Sequence, residues 1–143
     1  MNRITECGML IKQISDSIAR MSNNELRKSG LTLSQLRYLE YLSESQNEPT
    51  PFKELEAHFM VSQPTVVGVI KRLERKELVA VWQSKSGGNA KTAVLTEQGK
   101  ALYNASQAHK SEVEKSLISP LDSNEQAQFE DMLRRVRDHM EEV

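Results

Sequence analysis

A chain of 143 residues with 38% hydrophobic and 5% aromatic side chains is one ordinary domain by length, its core to be built from Leu, Ile, Val and Met rather than from rings. No apolar run approaches the ~20 residues of a membrane span, the N-terminus lacks a signal peptide's apolar stretch, and the lone Cys7 excludes an intramolecular disulfide framework, so a cytoplasmic protein with no membrane partner is expected. The formal charge of −1 conceals a division: residues 61–100 carry seven basic side chains (Lys71, Arg72, Arg75, Lys76, Lys85, Lys91, Lys100) against three acidic ones, net +4, whereas residues 1–60 are net −1 and residues 101–143 net −4.

A first helix is expected from about Ile4 to Met21, because Ile4, Cys7, Ile11, Ile14, Ile18 and Met21 recur at alternating spacings of three and four along one face. Asn23 and Asn24 interrupt that seam, and Ser29-Gly30 ends the segment behind them. A second helix starts behind Thr32, with Leu33, Leu36, Tyr38, Leu39 and Leu42 on a broad apolar face. Glu48-Pro49-Thr50-Pro51 is a turn, since both prolines forbid helix.

Phe52 to Phe59 forms a short third helix that breaks at Met60-Val61. Ser62 can then accept the N–H of Thr65, and Pro64 suits a first helical turn. Val66, Val69, Ile70 and Leu73 lie at i, i+3, i+4 and i+7, leaving Gln63, Val67, Gly68, Lys71 and Arg75 on or near the outer face. Val79–Gln83 and Thr92–Leu95 are strands on either side of a Gly87-Gly88-Asn89 tip. Thr96 caps a long helix over Glu97–Ile118, which Ser119-Pro120 stops. Asp122 and Glu125 are spaced as a capping box for a last helix striped by Phe129, Met132, Leu133, Val136 and Met140.

Helix, break, capped helix and hairpin in that order make a helix-turn-helix with a β-wing, which places one helix in the DNA major groove. The expected fold is mainly α with a small β-wing: a winged helix-turn-helix module (about 32–100) on an α-helical dimerisation platform (1–31 and 101–143), within a single domain. Stripes on the two end helices have little core of their own chain to cover. A homodimer held by Ile4, Ile11, Ile14 and Ile18 with Phe129, Met132, Leu133, Val136 and Met140 is therefore expected.

Gly30-Leu31-Thr32-Leu33-Ser34-Gln35, Val61-Ser62-Gln63-Pro64-Thr65-Val66, Arg72-Leu73-Glu74 and Leu95-Thr96-Glu97-Gln98-Gly99, in this order and spacing, resemble the MarR family of bacterial transcriptional regulators over essentially the whole chain. The resemblance implies a homodimer on palindromic operators, with a small-molecule or redox effector site in many members. Several positions depart from the family pattern. Glu56 stands where a small residue is usual, and Met60 and Glu77 replace turn glycines. The Gly87-Gly88-Asn89-Ala90-Lys91 tip lacks the usual Asp-x-Arg pair.

Double-stranded DNA is thus the expected partner. The expected contacts are Ser62, Gln63, Pro64, Thr65, Val67, Gly68, Lys71, Arg72 and Arg75 from the recognition helix, and Lys85, Asn89 and Lys91 from the wing. Gly68 has two readings, close approach to DNA or tight helix packing. Val67 is either a thymine-methyl contact or simply exposed. Part of the Lys71, Arg72, Arg75 and Lys76 set is expected to pair with Glu74 and Glu77 instead of phosphate. Cys7 is expected to be a buried, inert thiol rather than a peroxide sensor. His58, His109 and His139 sit on three different helices and make no metal site. No cofactor and no catalytic constellation is expected. A small aromatic or phenolic effector, lined by Met9, Tyr38 and Tyr41, is the expected control. A winged-helix protein–protein adaptor or antirepressor is the competing function.

Overall fold

The structure, a computed structural model, describes residues 6–45, 48–83 and 90–143. Among the described residues, six α-helices and three short strands are arranged in the order α1 (Cys7–Leu26), a 3-10 turn (Arg27–Ser29), α2 (Leu33–Ser43), β1 (Thr50–Pro51), α3 (Phe52–Phe59), α4 (Gln63–Arg75), β2 (Val79–Gln83), β3 (Lys91–Leu95), α5 (Glu97–Ile118) and α6 (Ser123–Glu141). The fold is mainly α with one small antiparallel sheet. The chain forms two compact units, one up to Ala108 and one from His109 onward, so α1 groups with the winged module in the first unit. No helix among the described residues is long and apolar enough to cross a membrane.

The asparagines expected to interrupt the first helix do not. α1 runs through them to Leu26, which is buried. Asn23 is retained because its Oδ1 accepts the backbone N–H of Leu33 at 2.6 Å, serving an otherwise unpaired donor in the first turn of α2. Thr32 caps the same helix in a complete box: its hydroxyl accepts from Gln35 N at 3.2 Å, while Gln35 Oε1 accepts from Thr32 N at 3.3 Å. Cys7, expected to be buried, is exposed at the first residue of α1.

The proline turn is also more than a turn. Thr50 and Pro51 form β1, which pairs antiparallel with β3 (Thr50 with Ala93, Pro51 with Thr92), so the sheet order is β1-β3-β2. Proline is tolerated there because β1 is an edge strand.

The core of the first unit lies between α2, α3, α4 and the sheet. Leu39, Leu55, Val66, Ile70, Leu73 and Ala93 are among its fully enclosed side chains. Gly99 locks the start of α5 against the sheet: a Cβ there would lie 2.1 Å from the carbonyl oxygen of Leu78. Thr96 reinforces the joint, accepting Gly99 N at 3.0 Å and donating to the Glu77 carbonyl at 2.6 Å. In the second unit, Asp122 and Glu125 form the expected capping box at the start of α6.

Candidate nucleic-acid interface

α4 owes its orientation to the two helix stops beside it. α3 ends on Met60 in the left-handed region (φ 54°), with the N–H of Val61 returning to the Glu56 carbonyl at 3.1 Å. α4 ends on Glu77 (φ 63°), with Glu77 N bonded to Glu74 O at 2.9 Å and Leu78 N to Leu73 O at 3.0 Å. The second pair is a complete Schellman stop, closed by the buried Leu73 and Leu78. Both left-handed residues carry side chains where glycine would be unstrained.

Ser62 does not cap α4 through its hydroxyl as expected. Its carbonyl takes the N–H of Thr65 at 3.1 Å, and its Oγ lies 3.1 Å from Thr65 Oγ1, so the two hydroxyls satisfy each other. Ser62, Gln63, Pro64 and Thr65 are exposed, Val67 and Gly68 half-buried, and Lys71, Arg72 and Arg75 exposed. Val66, Val69, Ile70 and Leu73 point into the core as their spacing requires. A Cβ at Gly68 would meet nothing nearer than an Arg72 guanidinium nitrogen at 3.7 Å, so packing within this chain does not demand glycine there.

The basic residues divide differently from expectation. Lys76 makes no ion pair with Glu74 or Glu77. Its ammonium donates to the carbonyl of Gly30 and, at 3.2 Å, to Gln35 Oε1, which clamps the end of α4 to the start of α2. Lys71, Arg72 and Arg75 have no hydrogen-bond or ion-pair partner among the described residues.

Lys91 opens β3 opposite Gln83, and both are exposed. With Phe52, Gln63 and Val67 they line a cleft of about 390 Å³ between α4 and the base of the wing. Gln83 was not singled out from the sequence; its signal was the register, which sets it opposite Lys91. Lys85 and Asn89, like Ile4 of the seam, lie outside the described residues.

Met9, Tyr38 and Tyr41 have different surroundings. Tyr38 is buried with its ring stacked 4.3 Å from that of Phe59, and Met9 stands exposed on α1. Tyr41 donates to Glu54 Oε2 at 2.8 Å and packs on His58 at 4.1 Å. That carboxylate acceptor, with burial, raises the Tyr41 phenol above its ordinary value, and burial alone raises Tyr38. A different cavity, of about 480 Å³, opens between α2, β3 and α5, lined by Leu42, Ser43, Val94, Leu95, Lys100, Tyr103 and Asn104.

On the candidate dimer helices, Ile11, Ile14, Met132, Leu133, Val136 and Met140 are exposed, while Ile18 and Phe129 are half-buried. Among the described residues no three His, Cys, Asp or Glu side chains are grouped to hold a metal.

The model of the MarR family matches residues 29–88, from the helix stop at Ser29-Gly30 to the wing. Among solved structures, the chain is similar to S. aureus MepR in complex with DNA, at 24% identity over 96% of this chain and 99% of that one, TM-score 0.86. A probable transcriptional regulator from Pseudomonas aeruginosa is 25% identical over 92% and 96%, TM-score 0.81. Bordetella bronchiseptica BpsR, whose DNA binding is regulated by 6-hydroxynicotinic acid, is 22% identical over 93% and 99%, TM-score 0.84. No curated protein matches the chain.

Proposed function

We propose that the chain, whose residues 29–88 match the model of the MarR family, acts as a homodimeric winged-helix repressor on a palindromic operator, its affinity set by a small ligand. The observation that carries the reading is the outer face of α4. Three cations there, Lys71, Arg72 and Arg75, are unengaged by the described chain and sit beside an exposed Ser62–Thr65 turn and a glycine that internal packing does not require. Gln63 and Thr65 supply hydrogen-bonding groups for base edges, Val67 an apolar contact for a thymine methyl, and the cations a phosphate footprint.

Two such faces related by a two-fold axis would read half-sites about one helical turn apart. Selection from random duplex DNA should therefore enrich an inverted repeat. Enrichment of a sequence without a palindrome would remove the dimer-on-operator model, and failure to bind any duplex would favour the adaptor or antirepressor reading.

The effector is best placed in the cavity between α2, β3 and α5. Leu42 and Leu95 give it apolar walls, and Lys100, Tyr103 and Asn104 give it an ammonium, a phenol and an amide. That lining suits an aromatic carboxylate or phenol, the chemical class of the ligand that regulates BpsR. A tenfold preference of such a ligand for the DNA-free state corresponds to about 1.4 kcal/mol, within the usual range of allosteric coupling. Titration with a panel of aromatic acids and phenols should release operator from wild type and not from a Tyr103→Ala, Lys100→Ala variant. Equal release from both would place the effector elsewhere.

A further inference from the structure

We infer that Lys76 is a positioning residue that sets operator specificity without touching DNA: by holding the C-terminal end of α4 to the corner between α1 and α2, it fixes the half-site spacing that the dimer accepts. The inference rests on the dimer-on-operator reading above. Its first ground is the rigidity of the corner. Gly30, in the left-handed region at φ 71°, closes the 3-10 turn behind α1 with a complete Schellman stop. Gly30 N bonds to Arg27 O at 3.0 Å and Leu31 N to Leu26 O at 3.1 Å, and both Leu26 and Leu31 are buried. Asn23 Oδ1 takes Leu33 N at 2.6 Å, so the end of α1 and the start of α2 are tied to each other. Whatever is bonded to this corner inherits the orientation of α1.

The second ground is how α4 is held. Val66, Val69, Ile70 and Leu73 fasten its inner face through apolar contacts, which are non-directional. Hydrogen bonds have to supply the direction. Lys76, the C-cap residue of α4, donates to the Gly30 carbonyl and, at 3.2 Å, to Gln35 Oε1, which also accepts from Thr32 N in the α2 capping box. Two acceptors on one ammonium fix both the reach and the direction of the tie. Ile11 and Ile14 stand exposed on the same α1, on the stripe expected to meet the second copy. In the proposed dimer, a path from the two-fold axis to each α4 therefore runs through α1, the Gly30 corner and Lys76. The third ground is the geometry of the duplex. One base pair added between half-sites moves one of them by about 3.4 Å and turns it by about 35°. A tied α4 cannot follow that displacement, whereas an α4 free to pivot at its C-terminal end follows part of it.

The test is operator binding across a spacer series, with the half-sites constant and one or two base pairs added or removed between them. Wild type should prefer one spacing and lose roughly tenfold or more at an error of one base pair, since the DNA must then be deformed or a half-site contact given up. Lys76 is exposed, so Lys76→Met leaves the core untouched; it keeps the aliphatic stem and removes the donors. It should flatten the spacing penalty to about threefold or less, with base preference and the slope of log affinity against log salt unchanged. Lys76→Arg, which can still donate to two acceptors, should restore the wild-type profile. Ile70→Val, which weakens the same helix without touching the tie, should keep that profile too. A Lys76→Met variant with the wild-type spacing profile would overturn the assignment and leave the tie a stabilising bond only. A salt slope shallower by about 0.9 would overturn it by making Lys76 a phosphate contact. An equally flattened profile in Ile70→Val would overturn it by tracing the effect to lost stability. Wild type that binds a single half-site as tightly as any pair would overturn the dimer-on-operator reading as well, and is seen before any variant is compared.

Discussion

At Gly30, Met60 and Glu77 the backbone enters the left-handed region, and only the first is the residue type that does so without strain. The positions are dictated by the motif: α3 and α4 must each stop abruptly for the next element to turn back onto the core. A side chain held there costs on the order of 1–2 kcal/mol, partly offset by the greater unfolded-state freedom of glycine. Glu77→Gly should therefore stabilise the fold by up to about 1 kcal/mol, read as a higher urea midpoint with the m-value unchanged. Gly99→Ala should do the reverse, losing at least ~2–3 kcal/mol by overpacking, because its Cβ would meet the Leu78 carbonyl at 2.1 Å. A stable Gly99→Ala variant would mean that α5 is free to move off the sheet. Tyr41 adds a pH dependence of definite sign. Its phenol is raised above the ordinary value of 10.0, chiefly by donating to Glu54, so the folded state holds that proton more tightly than the unfolded state. Stability from this bond is present below pH 10 and declines as pH rises through the folded-state value. Denaturation followed from pH 8 to 11 should thus show a steeper alkaline loss in wild type than in Tyr41→Phe. Parallel curves would remove Glu54 as the cause.

Between elements, the fastening of α4 to α2 by Lys76 gives a basic residue of the recognition helix a structural task. Its ammonium reaches the Gly30 carbonyl and Gln35 Oε1, and Gln35 is at the same time half of the Thr32 capping box. Lys76→Ala should cost about 1 kcal/mol of stability and leave the salt slope of DNA binding unchanged. Lys71→Ala should do the opposite, sparing stability and reducing the slope by about 0.9. If the two variants behave alike toward salt, Lys76 is a phosphate contact after all. The helix boundaries within this network were largely legible in the sequence: Phe52–Phe59 and Glu97–Ile118 are where composition and caps place them, and Asp122-Glu125 forms its box. The Lys76 clamp was not, because it joins residues 41 and 46 positions apart, and nothing in a local window distinguishes such a lysine from a phosphate-facing one.

For the whole molecule, the apolar residues that the fold leaves exposed decide the quaternary expectation. Ile11 and Ile14 on α1, and Met132, Leu133, Val136 and Met140 on α6, all stand open to solvent in the single chain, as does Val143. Apolar surface in that amount on end helices is ordinarily covered by a partner, and obligate dimers bury well over ~2,000 Å². Leu133→Glu with Val136→Glu should turn a species of twice 16.3 kDa into one of 16.3 kDa in sedimentation. It should also cut operator affinity by far more than it lowers the melting temperature, because two linked half-site contacts become independent ones. Wild type sedimenting as a monomer at micromolar concentration would refute the dimer.

The sequence by itself determined the order of the α-helices and of the two strands β2 and β3, since helical periodicity, cap residues and proline act within a few positions of where they are written. It also determined which face of α4 is buried, because Val66, Val69, Ile70 and Leu73 leave no other face apolar. Tertiary structure alone decided what depends on distant pairs. Asn23 continues α1 because Leu33, ten residues on, needs an acceptor. Thr50-Pro51 is a strand because Ala93 and Thr92 lie beside it. Tyr38, legible on the apolar face of α2, finds its stacking partner Phe59 only in the fold. Gln83 comes beside Gln63 and Val67 only through its register with Lys91 and the cleft they share with Phe52. Local free energies can be read one segment at a time, whereas each of these contacts exists only once chain closure has brought both partners to the same place.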